Sequence, residues 1–230
     1  ISSGLVGSEM CIRDSYIPVA ASDKKNLKII NELKKRNIPV VLADRGIQDS
    51  NLDFVTTNNF EGSRQITQHL INRGHKKIAF LSNKFYSTEK LRYKGFMSKM
   101  IDAGINQDPS ITILDKGAFN VNNYLSHANQ ILKNRKKFTA VYAGHDRIAL
   151  LFYAAAKNLG LSVPDDFSIV GYDNMPLTTV SLTTMHQPIY EMGQESINLI
   201  VSRMKDKNTN VKNIILNSNL VERSSVKDIR

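Results

Sequence analysis

The sequence predicts an α/β protein built on parallel sheet. Three observations point there. Short β-type runs alternate regularly with amphipathic stretches of helical period. The run 38–43 (IPVVLA) is unbrokenly apolar, as a strand covered on both faces is. Each main strand is followed at its carboxyl end by a polar residue, the pattern of a ligand-bearing sheet edge.

The elements follow in order. Tyr16–Ala20 reads as a strand, and Asp23–Arg36 as a helix with Leu27, Ile30 and Leu33 on one face and Asn37 ending it. Ile38–Ala43 is the second strand and Phe54–Thr57 a short extended piece. A helix starts at Asn58, with Glu61 three residues on as in a capping box; Ile66 and Leu70 form its apolar face and Gly74 stops it. Lys77–Leu81 is a strand, followed by a helix over Thr88–Ala103 carrying Leu91, Phe96 and Met100. Ile111–Leu114, Phe138–Tyr142 and Phe167–Val170 are strands; Val121–Leu132 and Asp146–Leu159 are the helices between them. The helix Tyr190–Met204 is expected to bury Gly193, Ile197, Ile200 and Met204, and Val211–Leu216 and Asn219–Val221 are terminal strands.

Composition excludes several classes. At 230 residues, 41% apolar and 23% charged, the chain is ordinary globular material. No run approaches the roughly 20 apolar residues of a membrane-spanning helix. One cysteine, Cys11, rules out a disulfide framework and a cysteine zinc site. The net charge of +10 comes from blocks such as Lys34-Lys35-Arg36 and Lys133–Lys137, placed on helices and turns as solvated faces. No groove-reading motif accompanies them.

Polar groups collect at the strand ends: Asp44-Arg45, Ser82-Asn83, His145-Asp146 and Asp173-Asn174. Acids and an amide on one edge suit a ligand rich in hydroxyls, because a carboxylate accepts two neighbouring O–H bonds. Asp146 fits equally a helix N-cap, and Asp173 and Asp44 could each stabilise their own turn. No GxSxG, HExxH or GxxxxGK[ST] occurs, and the five histidines lie at unrelated spacings. His75, after a helix stop, reads as a surface or C-cap residue, and Asp165-Asp166 as a loop pair. Binding is expected rather than catalysis, with no cofactor and no metal.

Several segments resemble, in order, the effector-binding core of LacI/GalR-type transcriptional regulators: 56–82 (TTNNFEGSRQITQHLINRGHKKIAFLS), 92–104 (RYKGFMSKMIDAG), 139–175 (ending VPDDFSIVGYDNM), 182–204 and 216–225 (LNSNLVERSS). The resemblance implies a two-lobe periplasmic-binding-protein-like type I fold with parallel sheets and an incomplete N-lobe. Residues 16–82 and 187–206 would form the N-lobe, and 83–186 and 207–226 the C-lobe. A small metabolite, a sugar or a related compound, would bind between them and change operator affinity allosterically. Arg92 matches the family's effector-clamping arginine and Asp173, in GYDN, its ligand-binding aspartate. Phe119 falls where an aromatic stacks on the ligand. His145 and Asp44 fall at strand ends that contact it, and Asp146, from the strand-end pattern, is a further candidate contact. The implied partners are the effector, operator DNA and a second copy in a homodimer, in the cytoplasm and away from membrane. A periplasmic sugar-binding protein of a transport system is the alternative on the same fold.

The resemblance starts at about Tyr16. Before it, 4–15 (GLVGSEMCIRDS) lacks a basic start and an apolar core, so it is no secretory signal. Glu9–Ser15 is also the translation of a transposon end used in sequencing adapters, and 1–15 is expected to be non-native flanking sequence. The helix-turn-helix headpiece of such regulators is then expected to be missing.

Overall fold

The computed structural model describes residues 23–45, 51–176, 180–206 and 210–230. The expected strand Tyr16–Ala20 and the segment 1–15 lie outside the described residues. The chain forms two compact units: one runs to Thr57 and resumes over Pro188–Leu216, the other comprises Asn58–Gln187 and Asn217–Arg230.

In the first unit α1 (Asp23–Lys35) leads to β1 (Val41–Ala43) and β2 (Asp53–Thr57), and α6 (Ile189–Lys205) leads to β8 (Asn213–Leu216). The strands pair in parallel in the order β1-β2-β8. Alternate residues go to opposite faces. Val41 and Val55 pack on Met192, Leu199 and Ile200 of α6, while Val40 and Leu42 pack on Ile30 of α1. Asn37 takes a left-handed φ of 56°, which ends α1 as expected. The buried stripe of α6 is Met192, Ser196, Leu199 and Ile200; of the expected stripe Ile200 is buried, whereas Ile197 is 54% and Met204 47% exposed. Both stripes have helical period, and only the sheet face decides between them.

The second unit holds α2 (Asn59–Asn72), β3 (Ile78–Asn83), α3 (Ser87–Asp102), β4 (Thr112–Asp115), α4 (Val121–Lys133), β5 (Ala140–Ala143), α5 (Asp146–Asn158), β6 (Ser168–Asp173), β7 (Thr183–His186) and β9 (Asn219–Val221). Its six strands run in the order β4-β3-β5-β6-β7-β9, parallel except for β9. Ile78, Phe80, Tyr142 and Val170 pack on Ile66, Leu70, Phe96 and Met100 of α2 and α3. Ala79, Leu81, Val141 and Ile169 pack on Tyr124, Ile131, Ile148 and Phe152 of α4 and α5. Both faces are therefore covered, which suits the apolar 78–81 (IAFL) of β3. The α2–α3 contact is close because Gly95 has no Cβ; one would sit 2.3 Å from the Phe60 carbonyl oxygen.

The lobe boundaries depart from the sequence reading. The chain passes between the units at 57/58, 187/188 and 216/217, against the expected 82/83, 186/187 and 206/207. The first moves because β3 pairs with β4 and β5, the third because β8 pairs with β2. Strand β7 was not foreseen: its Thr-Thr-Met-His has no alternation to read. His75 is buried rather than at the surface; its Nδ1 meets the Thr139 hydroxyl at 2.9 Å and its Nε2 the Lys227 carbonyl at 3.0 Å.

Candidate functional site

In the six-stranded sheet the order reverses between β3 and β5, since β4 lies on the far side of β3. A crevice opens at the carboxyl ends of the strands flanking such a switch point. Here the two strand ends approach closely: a Cβ on Gly144 would lie 2.1 Å from the Ser82 hydroxyl. The residues that follow β3, β4, β5 and β6 supply the polar groups.

Arg92 rises from α3 into this edge and is 4% exposed. Its Nε donates to Asn59 Oδ1 at 2.8 Å and its Nη1 to the Gly144 carbonyl at 2.8 Å. Its Nη2 lies 3.3 Å from Asp173 Oδ1, and the guanidinium carbon is 3.8 Å from the centre of the Tyr172 ring. Asp173 has a φ of 120°, rare for any residue but glycine, and Gln187 Nε2 donates to its Oδ1 at 2.6 Å. A strained backbone held by two side chains is a pre-organised carboxylate. The Asp173 side chain remains 23% exposed.

A second cluster lies after β4 and β5. Phe119 is 4.9 Å from the Tyr124 ring and 5.1 Å from His145. The Phe119 face carries the Arg147 guanidinium, 4.3 Å away, a contact the sequence did not suggest. His145 is the N-cap of α5, its Nδ1 accepting from Ile148 N at 3.3 Å. Burial pushes the Tyr124 phenol well above its usual pKa. The loop beneath is pinned by Asp115, whose Oδ2 meets His127 Nε2 at 2.9 Å and whose Oδ1 accepts from Gly117 N at 2.7 Å. Burial opposes ionisation of Asp115, but these partners outweigh it and hold its pKa low.

Asp146 and Asp44 were also expected at the site. Asp146 is not the cap of α5 and is fully buried; its Oδ1 accepts from the Thr184 hydroxyl at 2.7 Å and its Oδ2 from Met175 N at 2.8 Å. Burial raises its pKa, and its part is to tie α5 to β7 and the loop after β6. Asp44 belongs to the first unit, at the end of β1, with a φ of 65° and its Oδ2 3.5 Å from Arg45 Nε. The structure thus brings Arg92 to Asp173 and Phe119 to His145.

Gln187, Asn59 and Tyr172 were missed. Gln187 follows β7, so the strand-end rule would have found it had β7 been read as a strand. Asn59 sits in the first turn of α2 and carries no local signal.

A family model for a periplasmic binding protein-like domain matches residues 67–226, well over half of the chain. This chain belongs to that family, as an effector-binding domain of the LacI/GalR type. Among similar LacI/GalR-type proteins, the HTH-type transcriptional repressor PurR of Photobacterium profundum is 35% identical over 200 residues, covering 85% of this chain and 59% of that protein. PurR of Vibrio atlanticus is 32% identical over 197 residues, 84% of this chain and 58% of that one. This LacI/GalR domain therefore spans less than two thirds of the length of the curated relatives it matches. A LacI family regulator from Enterococcus faecium with bound ribose superimposes with a TM-score of 0.84 at 28% identity, over 96% of this chain and 84% of that one. The regulator CelR in complex with cellobiose gives a TM-score of 0.77 at 26% identity, over 86% and 62%. The matched relatives are transcriptional regulators, not enzymes. Among the described residues no helix is long and apolar enough to cross a membrane.

Proposed function

We propose that this chain is the effector-sensing part of a LacI-type regulator, a repressor acting in the cytoplasm as a homodimer on operator DNA. Its ligand is a small polyhydroxylated metabolite bound at the strand-end edge of the six-stranded sheet. The observation that carries this reading is the buried Arg92 fork turned on Asp173 at the switch point, in a chain of this family. A guanidinium and a carboxylate held together present donors and an acceptor at fixed spacing, which suits adjacent hydroxyls. Ribose and cellobiose on two structural relatives support a sugar. Phe119 and His145 would line the same edge.

The regulatory effect follows from differential affinity. A ligand that binds one conformation better than another shifts the population toward it, and the operator affinity follows. A transport-system binding protein shares the fold, but the matched relatives named here favour the regulator.

Titration calorimetry against a panel of pentoses, hexoses and disaccharides tests the reading. One compound is expected to bind saturably, and Asp173→Asn to abolish its heat of binding while leaving the circular dichroism spectrum in place. Undiminished affinity in that variant would refute the pocket.

A further inference from the structure

We propose that the metabolite bound at this edge carries an oxyanion, a carboxylate or a phosphate, and that Arg147 receives it. The proposal rests on the reading of the edge as an effector site and names the class of effector.

Arg147 stands in the first turn of α5 and is exposed, with its guanidinium carbon 4.3 Å over the Phe119 ring. A cation in that first turn opposes the helix dipole, so α5 gains nothing from it. Its neighbour Asp146 is turned inward to Thr184 and Met175. The other acids of the edge are engaged as well. Asp115 is held by His127 and Gly117 N, Glu89 by the Ser82 hydroxyl and Asn83 N, and Asp173 by Arg92 and Gln187. Lys84 and Lys116, both exposed, follow β3 and β4 at the same edge. Arg147, Lys84 and Lys116 are thus exposed positive charges at the described edge, where Asp173 is partly exposed but paired with Arg92.

The aromatic backing decides what that charge can do. Phe119 is itself braced by Tyr124 and His145, so the ring that carries the Arg147 guanidinium is held in place. A guanidinium is planar and offers its N–H groups as a fork, the geometry that takes two oxygens of one carboxylate or phosphate. A neutral sugar has no such group. An aldonate, a uronate or a sugar phosphate has one, together with the hydroxyls that Arg92 and Asp173 suit. Arg147 is thus a specificity-determining residue that sorts acidic from neutral polyols.

The test is calorimetry of the 230-residue chain with ribose, ribonate and ribose 5-phosphate, and with glucose, gluconate, glucuronate and glucose 6-phosphate. At least one acidic compound is expected to bind about ten-fold or more tighter than its neutral parent, about 1.4 kcal/mol. That advantage should shrink as salt is raised. Arg147→Gln should bring the acidic-to-neutral ratio to within about two-fold, and Arg147→Lys should retain part of it, since a point charge replaces the fork. The carboxylate and phosphate arms distinguish the two oxyanions. Equal affinity for acidic and neutral members, no binding of any acidic member, or a ratio that survives Arg147→Gln would each overturn the proposal. Neutral sugars that bind and are lost in Asp173→Asn would leave the effector reading standing without it. An acidic preference that depends on Arg147 yet survives Asp173→Asn would sink the effector pocket and keep the anion site.

Discussion

Arg92 and Asp173 meet at 3.3 Å with the guanidinium laid over the Tyr172 ring, so one side chain from α3 fixes the carboxyl end of β6. The two halves of the pair are unequal. Arg92 is buried and bonds to Asn59 and Gly144 as well, whereas Asp173 keeps part of its hydration.

That inequality separates two variants. Arg92→Ala should lose effector binding and also lower stability by about 2–3 kcal/mol, less than for a fully buried pair because Asp173 is partly solvated. Asp173→Asn should lose binding with little change in stability. Urea denaturation of both decides the point; equal destabilisation would show that the pair is only structural.

Asp146→Asn should destabilise by about 1–3 kcal/mol, because Met175 N–H and the Thr184 hydroxyl both need acceptors and an amide supplies one. The wild-type carboxyl, raised by burial, contributes stability that is full below its unfolded pKa of 3.8 and lost as pH rises through the folded value. The variant should lack that component of the acid-side profile. A variant as stable as wild type at neutral pH would contradict the bracing role.

Stability should fall on mild acidification. Burial depresses the pKa of His75 and of His69 below the ordinary 6.5. The unfolded chain then binds those protons more tightly, so the contribution is complete above pH 6.5 and lost as pH falls through that value toward the folded pKa. Melting temperatures between about pH 8 and pH 5 should decline, and His75→Gln should flatten the decline. A flat profile in the wild-type chain would rule the effect out.

Gly95→Ala should cost about 1–3 kcal/mol, since its methyl must displace the Phe60 carbonyl or the Ser63 Cβ, 2.9 Å away. A drop in melting temperature of several degrees is expected for a chain of this size, about 2–4 °C per kcal/mol. No drop would mean that α2 and α3 separate freely.

Much was legible without coordinates, for local reasons. Helix limits were clear where caps and stops were clear: Asn58 accepts from Glu61 N at 3.2 Å, and Gly74, Gly104 and Gly160 all take positive φ beyond their helices. The strand-end rule located Asn83, His145 and Asp173 because apolar periodicity marks where a parallel strand stops. Asp146 was ambiguous because the same position serves a capping, a ligand or a bracing role, and the residue type is identical in each.

The sequence by itself determined the class of fold and the family, since period, capping and ordered motifs are properties of neighbouring residues; the meeting of Arg92 with Asp173 came from the tertiary structure. Only the tertiary structure decided that β3 joins the six-stranded sheet and β8 the three-stranded one, which stripe of α6 is buried, and that Gln187, Asn59 and Arg147 stand at the edge. Each of these depends on contacts between residues far apart in the chain. Backbone hydrogen-bond pairing of parallel strands looks alike in either sheet, so no local pattern can specify the partner.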